Sequence, residues 1–418
     1  MQPLAPVQHK EREIFMDVLR GFAILGIFIA NLGSGFSGYN EQAHATGPYL
    51  LPEWDHKMTY LHQVFIEGKF YSIFSLLFGW GIALQFKRGE AKGINAAPTV
   101  RRRLLFMLLL GAFHLLIWTG DIVFFYALLG FILLPLRKLF DKTLLITGII
   151  LVLLPILLYA AKSHWLWLND PAGFLFNTGQ KLDAKLLGIT EATNYNEFAK
   201  HASWWDMLKG NISGFFYRYG YLFFVSRVPK VLGMFLVGYV VGRSDFYKNI
   251  GQHKKLLYWI IGIGLAVGLP ANYYLAHYMS WYEADYWNLK IKGLYQTIAY
   301  ALGVAPLALT YVALFMLGFQ TTAGKKILSV LAPVGKMAFS NYIMQSLIGN
   351  FVFLGPGLGY MGQVGPFYYT FFGIGVFIIQ IITSNIWLNY FNYGPLEWLW
   401  RSATYKKWQP MRKQTAIN

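Results

Sequence analysis

The stretch Arg101–Gly130, RRRLLFMLLLGAFHLLIWTGDIVFFYALLG, decides the fold. Two apolar runs flank the pair Thr119-Gly120, and Asp121 follows at once. Runs this hydrophobic belong in a bilayer, and so short a break makes them a helical hairpin. Arg101–Arg103 pin one end, and His114 lies about two turns before the break. Ionisable groups cost several kcal/mol inside a membrane, so a histidine and a carboxylate near the tip of such a hairpin are candidate functional groups.

The rest of the chain repeats the apolar pattern. Of 418 residues, 56% are hydrophobic, 18% aromatic and only 13% charged. A soluble domain is about one-quarter charged. The mean hydropathy is +0.41. The expected fold is all-α: a polytopic membrane protein of about ten helices. The spans are Ile14–Leu32, Met58–Phe86, Leu104–Thr119, Ile122–Leu136, Thr143–Ala161, Phe215–Gly242, Leu257–Leu275, Leu294–Phe319, Ile327–Leu354 and Phe367–Tyr390. The first run lacks a small-residue cleavage pattern and is read as a retained signal anchor. The chain divides into a polar segment 1–13, a single membrane domain 14–400 with a long polar connection at 162–214, and a basic tail 401–418. That connection carries candidate short helices at Asp183–Leu187 and Glu197–His201, and reads either as a surface loop or as a cap over a site.

Lysine and arginine crowd alternate connections: 87–103, 137–142, 243–256, Lys325-Lys326 and the tail. The opposite short connections are almost free of positive charge: Lys57 is alone in the first, and 119–121 and 355–366 have none. The positive-inside rule then places both termini in the cytoplasm. The net charge of +17 is therefore mostly a topology signal, which argues against nucleic acid as a partner and for the lipid bilayer. The absence of cysteine removes disulfides and thiolate chemistry. His44, Glu53, Asp55 and His56 match no standard metal spacing, so no metal site is expected. Gly262, Gly264 and Gly268 lie in an apolar helix and make no dinucleotide fingerprint.

Several intramembrane polar residues are candidates for a site. Asp17 and Arg20, at i and i+3, can pair on one helical face. Asn31 is either glue between helices or a donor to a reacting oxyanion. Glu67 and Lys69, at i and i+2, need separate partners. Ser72, Ser75, Gly79 and Gly81 form a small-residue packing stripe, and Gly238-x-x-x-Gly242 is a second packing motif. Arg227, with Lys230 beside it, can receive an anionic group. Lys336, Asn341 and Gln345 make one helix polar enough to line a cavity. A carboxylate that orients an imidazole makes it a competent general base, which is the role expected of Asp121 toward His114.

These residues carry a resemblance. The chain resembles the YeiB-like family of bacterial inner-membrane proteins, catalogued as a domain of unknown function. Its markers are Asp17–Ile27 with Asn31; Gly68-Lys69-Phe70; His114, Trp118, Gly120, Asp121 and Tyr126; Gly335–Ala338 with Asn341, Tyr342 and Gln345; and Gly394–Arg401. More distantly, the first span is similar to transmembrane acyltransferases such as heparan-α-glucosaminide N-acetyltransferase, which share an aspartate, an arginine-glycine pair and an asparagine eleven residues after the arginine, as at Arg20 and Asn31. That resemblance implies an acyl-CoA donor entering from the cytoplasm as a co-substrate, with no resident cofactor. It implies an acceptor, a sugar, lipid or envelope component, on the other side. The catalytic histidine of those enzymes follows soon after the asparagine. Here His44 and His56 have no clear register with it, and His114 is the inferred substitute.

The expected activity is therefore acyl transfer. His114, Asp121 and Asn31 are the expected catalytic groups, and Asn341 is a second oxyanion donor. Arg20, Glu67, Lys69, Tyr126, Arg227, Lys336, Asn341 and Gln345 are the expected substrate-binding residues. The alternatives are a small-molecule transporter or exporter and a structural membrane protein. Association into a homo-oligomer stays open.

Overall fold

The computed structural model describes residues 14–39, 45–244 and 246–413. Segment 1–13 and His44 lie outside the described residues. The described chain is helical, without named strands; two isolated β-bridges join Tyr49 to Val364 and Phe391 to Arg412. The helices are α1 Ile14–Asn31, α2 Pro52–Phe65, α3 Lys69–Ala91, α4 Ala97–Ile117, α5 Val123–Leu136, α6 Asp141–His164 and α7 Asp170–Leu187. They continue as α8 Tyr195–His201, α9 Trp204–Phe224, α10 Arg227–Arg243, α11 Lys254–Ile263, α12 Leu269–Trp281 and α13 Glu283–Trp287. The last are α14 Ile291–Gly318, α15 Thr322–Leu328, α16 Ala332–Lys336, α17 Ala338–Phe353, α18 Pro366–Tyr390 and α19 Pro395–Tyr405.

Among the described residues, five helical runs are long and apolar enough to cross a membrane: Ile14–Phe36, Asp141–His164, Ile250–Trp281, Ile291–Gly318 and Pro366–Tyr390. Two bent pairs raise the number to seven: α9 with α10, bent by 72°, and Thr322–Lys336 with α17, bent by 74°. Helices α3 and α4 carry charges at their ends, and α5 has only 14 residues. The start of α1, the end of α3 and the start of α4 share one end of the bundle with α19, called here the basic end.

Four expected elements differ from the observed ones. The span Met58–Phe86 is two helices, because Gly68 turns the chain at φ +83°, a conformation that favours glycine. The span Phe215–Gly242 breaks at Val225-Ser226, where Ser226 is left-handed at φ 52°. The span Ile327–Leu354 breaks at Met337, between α16 and α17. The connection 162–214 is more helical than expected: Glu197–His201 lies in α8, Asp183–Leu187 is the end of the longer α7, and the first half of α9 follows.

The packing stripe and the GxxxG motif meet each other. A Cβ on Gly79 would lie 2.0 Å from the carbonyl oxygen of Phe235, and one on Gly238 would lie 1.9 Å from that of Leu76. Only hydrogen fits at either position, so α3 and α10 approach backbone to backbone, as small residues allow in apolar surroundings. Trp80, Tyr126, Phe28 and Phe235 fill the centre of the bundle and are fully buried.

Candidate functional site

The hairpin α4–α5 builds the first part of the site. Helix α4 ends because Trp118 is extended, at φ −156° and ψ 126°. That leaves carbonyls without helical partners. Asn350 of α17 donates to the Ile117 carbonyl at 2.8 Å, and Asn211 of α9 donates to that of Leu116 at 2.8 Å. On the other arm, Asp121 Oδ1 accepts the Phe124 amide at 2.7 Å and so caps α5. Asp121 Oδ2 lies 2.7 Å from His114 Nδ1. Both side chains are buried, at 1% and 2% exposure. His114 Nε2 is buried too and has no hydrogen-bonding partner among the described residues. Buried polar atoms are seldom left unpaired, and each exception needs an explanation.

Tyr342 of α17 stands beside the pair. Its ring meets the His114 imidazole edge-on at 5.1 Å between centroids, and its hydroxyl accepts the Ile122 amide at 3.3 Å. Trp118 covers the neighbouring side and stacks on Phe36 at 4.6 Å.

A cavity of about 290 Å³ occupies the basic end. Arg20, Arg88, Arg103, Lys336 and Arg401 line it, against the carboxylates of Asp17 and Glu397. Farther in, its walls turn apolar with Ile27, Phe74, Leu77, Phe78 and Met107. Its innermost lining includes Ile122 and Tyr342. His114 and Asp121 do not line it, so the Tyr342 ring and the Ile122 backbone separate the cavity from the pair. Arg20 is paired with Asp17 at 2.7 Å, as the spacing suggested. Arg103 lies over the Trp400 ring at 4.6 Å, and Arg401 over the Tyr393 ring at 4.7 Å. Glu397 accepts the Phe339 amide at 2.6 Å, the Ser340 amide at 3.1 Å and the Ser340 hydroxyl at 2.5 Å. It thereby caps α17 from α19. Burial raises the Glu397 carboxyl above its ordinary range, and the hydrogen bonds from Ser340 and Phe339 oppose that shift. Sequence reasoning took Arg88, Arg103 and Arg401 as topology charges and Glu397 as part of a family marker, not as site residues. The tryptophans and glutamate of Gly394–Arg401 were the available signal.

The remaining candidates fall into two places. Asn341 and Gln345 are buried between α17 and α18. Asn341 donates to the Ser384 hydroxyl at 3.0 Å and to the Val334 carbonyl at 3.2 Å, and Gln345 donates to Gln380 at 2.8 Å. Neither lines the cavity. Asn31 ends α1 half-buried and makes no capping bond there. Lys69 is fully buried and donates to the Gln63 carbonyl at 2.5 Å. Tyr126 bonds Ser75 at 2.6 Å and donates to the Tyr71 carbonyl at 3.0 Å. Arg227 donates to Tyr300 at 3.0 Å and to Tyr221 at 3.4 Å, with its guanidinium 4.3 Å above the Tyr71 ring. Glu67 acts electrostatically on Arg227, Lys230 and Lys69. Lys69, Tyr126, Arg227 and Glu67 form a second polar centre at the end of the bundle away from the cavity mouth. Asp55 accepts the Leu51 amide at 2.6 Å and the Phe367 amide at 2.9 Å. Among the described residues, no three histidine, aspartate or glutamate side chains come together as a metal site.

Residues 241–407 match the family described as "Protein of unknown function (DUF418)". The "Uncharacterized protein YxaH" of Bacillus subtilis (strain 168) is 33% identical over 430 residues, covering 100% of both chains. The "Uncharacterized protein YeiB" of Escherichia coli (strain K12) is 28% identical over 434 residues, covering 97% of this chain and 100% of its own. No solved structure gives a significant match. With a full-length relative at this identity, the chain belongs to the YeiB-like family of proteins of unknown function (DUF418).

Proposed function

We propose that the protein is a membrane acyltransferase that moves an acyl group from a cytoplasmic acyl-CoA donor to a hydroxyl on a sugar, lipid or envelope acceptor. The observation that carries this reading is the buried His114–Asp121 pair with its unpartnered Nε2. The cavity supports it. Five cationic side chains at the mouth suit the phosphates of a nucleotide-bearing donor, and the apolar inner walls suit a pantetheine arm and acyl chain.

In this reading Asp121 holds the proton on Nδ1, so Nε2 presents its lone pair to the acceptor hydroxyl. The hydroxyl oxygen bonds to the thioester carbonyl carbon as Nε2 takes its proton. The carbon–sulfur bond then breaks, and the imidazolium returns the proton to the leaving thiolate. Tyr342 must swing aside for donor and histidine to meet.

The proposed topology passes α1, α3, α4, α5, α6, α10, α11–α12, α14, α17 and α18 through the bacterial cytoplasmic membrane. Both termini and the basic end face the cytoplasm, following the lysine and arginine distribution.

The test is thiol release from acyl-CoA by the purified protein in nanodiscs, with hydroxylated amphiphiles as acceptors. The chain has no cysteine, so a thiol reagent reads only the donor. Acceptor-dependent release that disappears in a folded His114→Ala variant is expected. Unchanged release in that variant removes the assignment. Passage of an intact solute into proteoliposomes without thiol release favours a transporter instead.

A further inference from the structure

The polar centre at the end away from the cavity mouth gathers basic side chains from several helices. Arg227 and Lys230 stand in the first turn of α10, where the helix dipole adds positive potential. Lys230 is buried and lies 4.1 Å above the Tyr300 ring. Arg218 of α9 acts on Arg227, and Lys162 of α6 acts on Lys230. Lys162 satisfies the broken end of α9: it donates to the Phe223 and Phe224 carbonyls at 2.8 Å each. Arginine keeps its charge when buried, and Glu67 is the acid that acts on Arg227 among the described residues. Arg218 Nε is buried without a hydrogen-bonding partner. Tyr71, Tyr221 and Tyr300 ring the Arg227 guanidinium, and Tyr71 bonds Tyr300 at 2.5 Å.

Like charges gathered in apolar surroundings repel, and each uncompensated one is expensive. Such a cluster is stable when an anion occupies it. It also adjoins the proposed catalytic pair. Arg218 and Asp121 both act on Tyr342, and Tyr126 of α5 donates to the Tyr71 carbonyl.

We infer that Arg218, Arg227 and Lys230 bind a phosphate group carried by the acceptor, so that the acyl group passes to an anionic, phosphate-bearing molecule rather than a neutral sugar or lipid. This rests on the acyl-transfer reading for its meaning, but the binding site is tested without turnover.

The full-length protein in phosphatidylcholine nanodiscs is titrated with inorganic phosphate, with phosphatidic acid and with diacylglycerol. Thermal stability and equilibrium binding are the readouts. Stabilisation by phosphatidic acid but not diacylglycerol supports a phospholipid acceptor, and stabilisation by inorganic phosphate supports a soluble one. Arg227→Gln and Lys230→Gln are each expected to weaken that binding about tenfold or more, as loss of a charge-assisted contact does. Lys230→Arg is expected to retain it. His114→Ala is expected to bind the anion like the parent, which separates this site from the catalytic assignment. No anion-dependent stabilisation overturns the inference. So does equal binding by the parent and both glutamine variants. Either result leaves acyl transfer to a neutral acceptor standing.

Discussion

The Tyr342 ring lies 5.1 Å from the His114 imidazole and forms part of the inner wall of the basic cavity. One aromatic side chain therefore stands between the space that would hold a donor and the group that would act on it. Tyr342→Ala is expected to join the two. It also removes a buried aromatic side chain and should destabilise the protein by roughly 3–5 kcal/mol. Tyr342→Phe keeps the ring and loses one long hydrogen bond, a cost of about 1 kcal/mol. Modification of His114 by a histidine reagent should be slow in the parent and in Tyr342→Phe, and faster in Tyr342→Ala. Equal rates in all three would show that Tyr342 does not close this passage.

Asp121 has two separable duties, one per oxygen. Oδ2 holds the His114 ring and Oδ1 caps α5. Asp121→Asn keeps an oxygen for the Phe124 amide but cannot hold the imidazole as a carboxylate does. It is expected to lower acyl transfer about a hundredfold or more while melting near the parent. Asp121→Ala loses the cap as well and should cost about 1–2 kcal/mol. Thiol-release kinetics and thermal melts on the same preparations check both parts. Full activity in Asp121→Asn would remove the carboxylate from the mechanism.

How much of this was legible in the sequence depends on whether an interaction is local. The His114–Asp121 contact was readable because seven residues and one break separate the partners. Asp17–Arg20 was readable from helical spacing alone. The stripe at Gly79 and the motif at Gly238 were each visible as packing surfaces, but nothing in the linear chain says that one packs on the other. The cavity was illegible for the same reason. Its cations come from α1, α3, α4, α16 and α19, and only the fold brings them together. The breaks at Ser226 and Met337 were missed because long apolar runs flank both, and the cations beside them, Arg227, Lys230 and Lys336, were read as polar groups within single spans. Hydropathy records the environment of a segment and is blind to a 72° bend within it.

The contact between α3 and α10 gives a stability prediction. A methyl on Gly238 would overlap the Leu76 carbonyl oxygen, which belongs to backbone and cannot rotate away. Gly238→Ala must push the helices apart, at a cost of about 1–3 kcal/mol. Gly173→Ala is the control, since a Cβ there meets nothing within 4 Å. Loss of thermal stability in Gly238→Ala with none in Gly173→Ala is expected. Equal melting temperatures would mean that α3 and α10 are not packed this closely.

Glu397 ties stability to pH. Burial raises its folded-state pKa, and the bonds from Ser340 and Phe339 only partly offset this. The sign follows from linkage. At low pH both states are protonated, and the group contributes nothing. As pH rises past the ordinary glutamate range, the unfolded chain loses its proton first while the folded carboxyl keeps it, so stability falls. Above the raised folded value, the loss is complete. The parent should therefore lose more melting temperature than Glu397→Gln as pH rises above the ordinary glutamate range. Parallel profiles would show that Glu397 is not the responsible group.

The charge distribution makes the final prediction, which concerns orientation. The turn after α3 ends at Lys92-Gly93, and Arg101–Arg103 follow in α4. Segment 355–366 between α17 and α18 carries no lysine or arginine. Cationic segments resist translocation, so they stay on the cytoplasmic side of the membrane. A phosphatase active only outside the cytoplasm should be inactive when fused after Gly93 and active when fused after Gly359. A fluorescent protein that matures only in the cytoplasm should give the reverse. If both fusions report the same side, an even number of spans from α4 to α17 crosses the membrane, and the bent pair α9–α10 is the first place to look. If both report the opposite sides, the basic cavity faces outward and no cytoplasmic acyl-CoA reaches it.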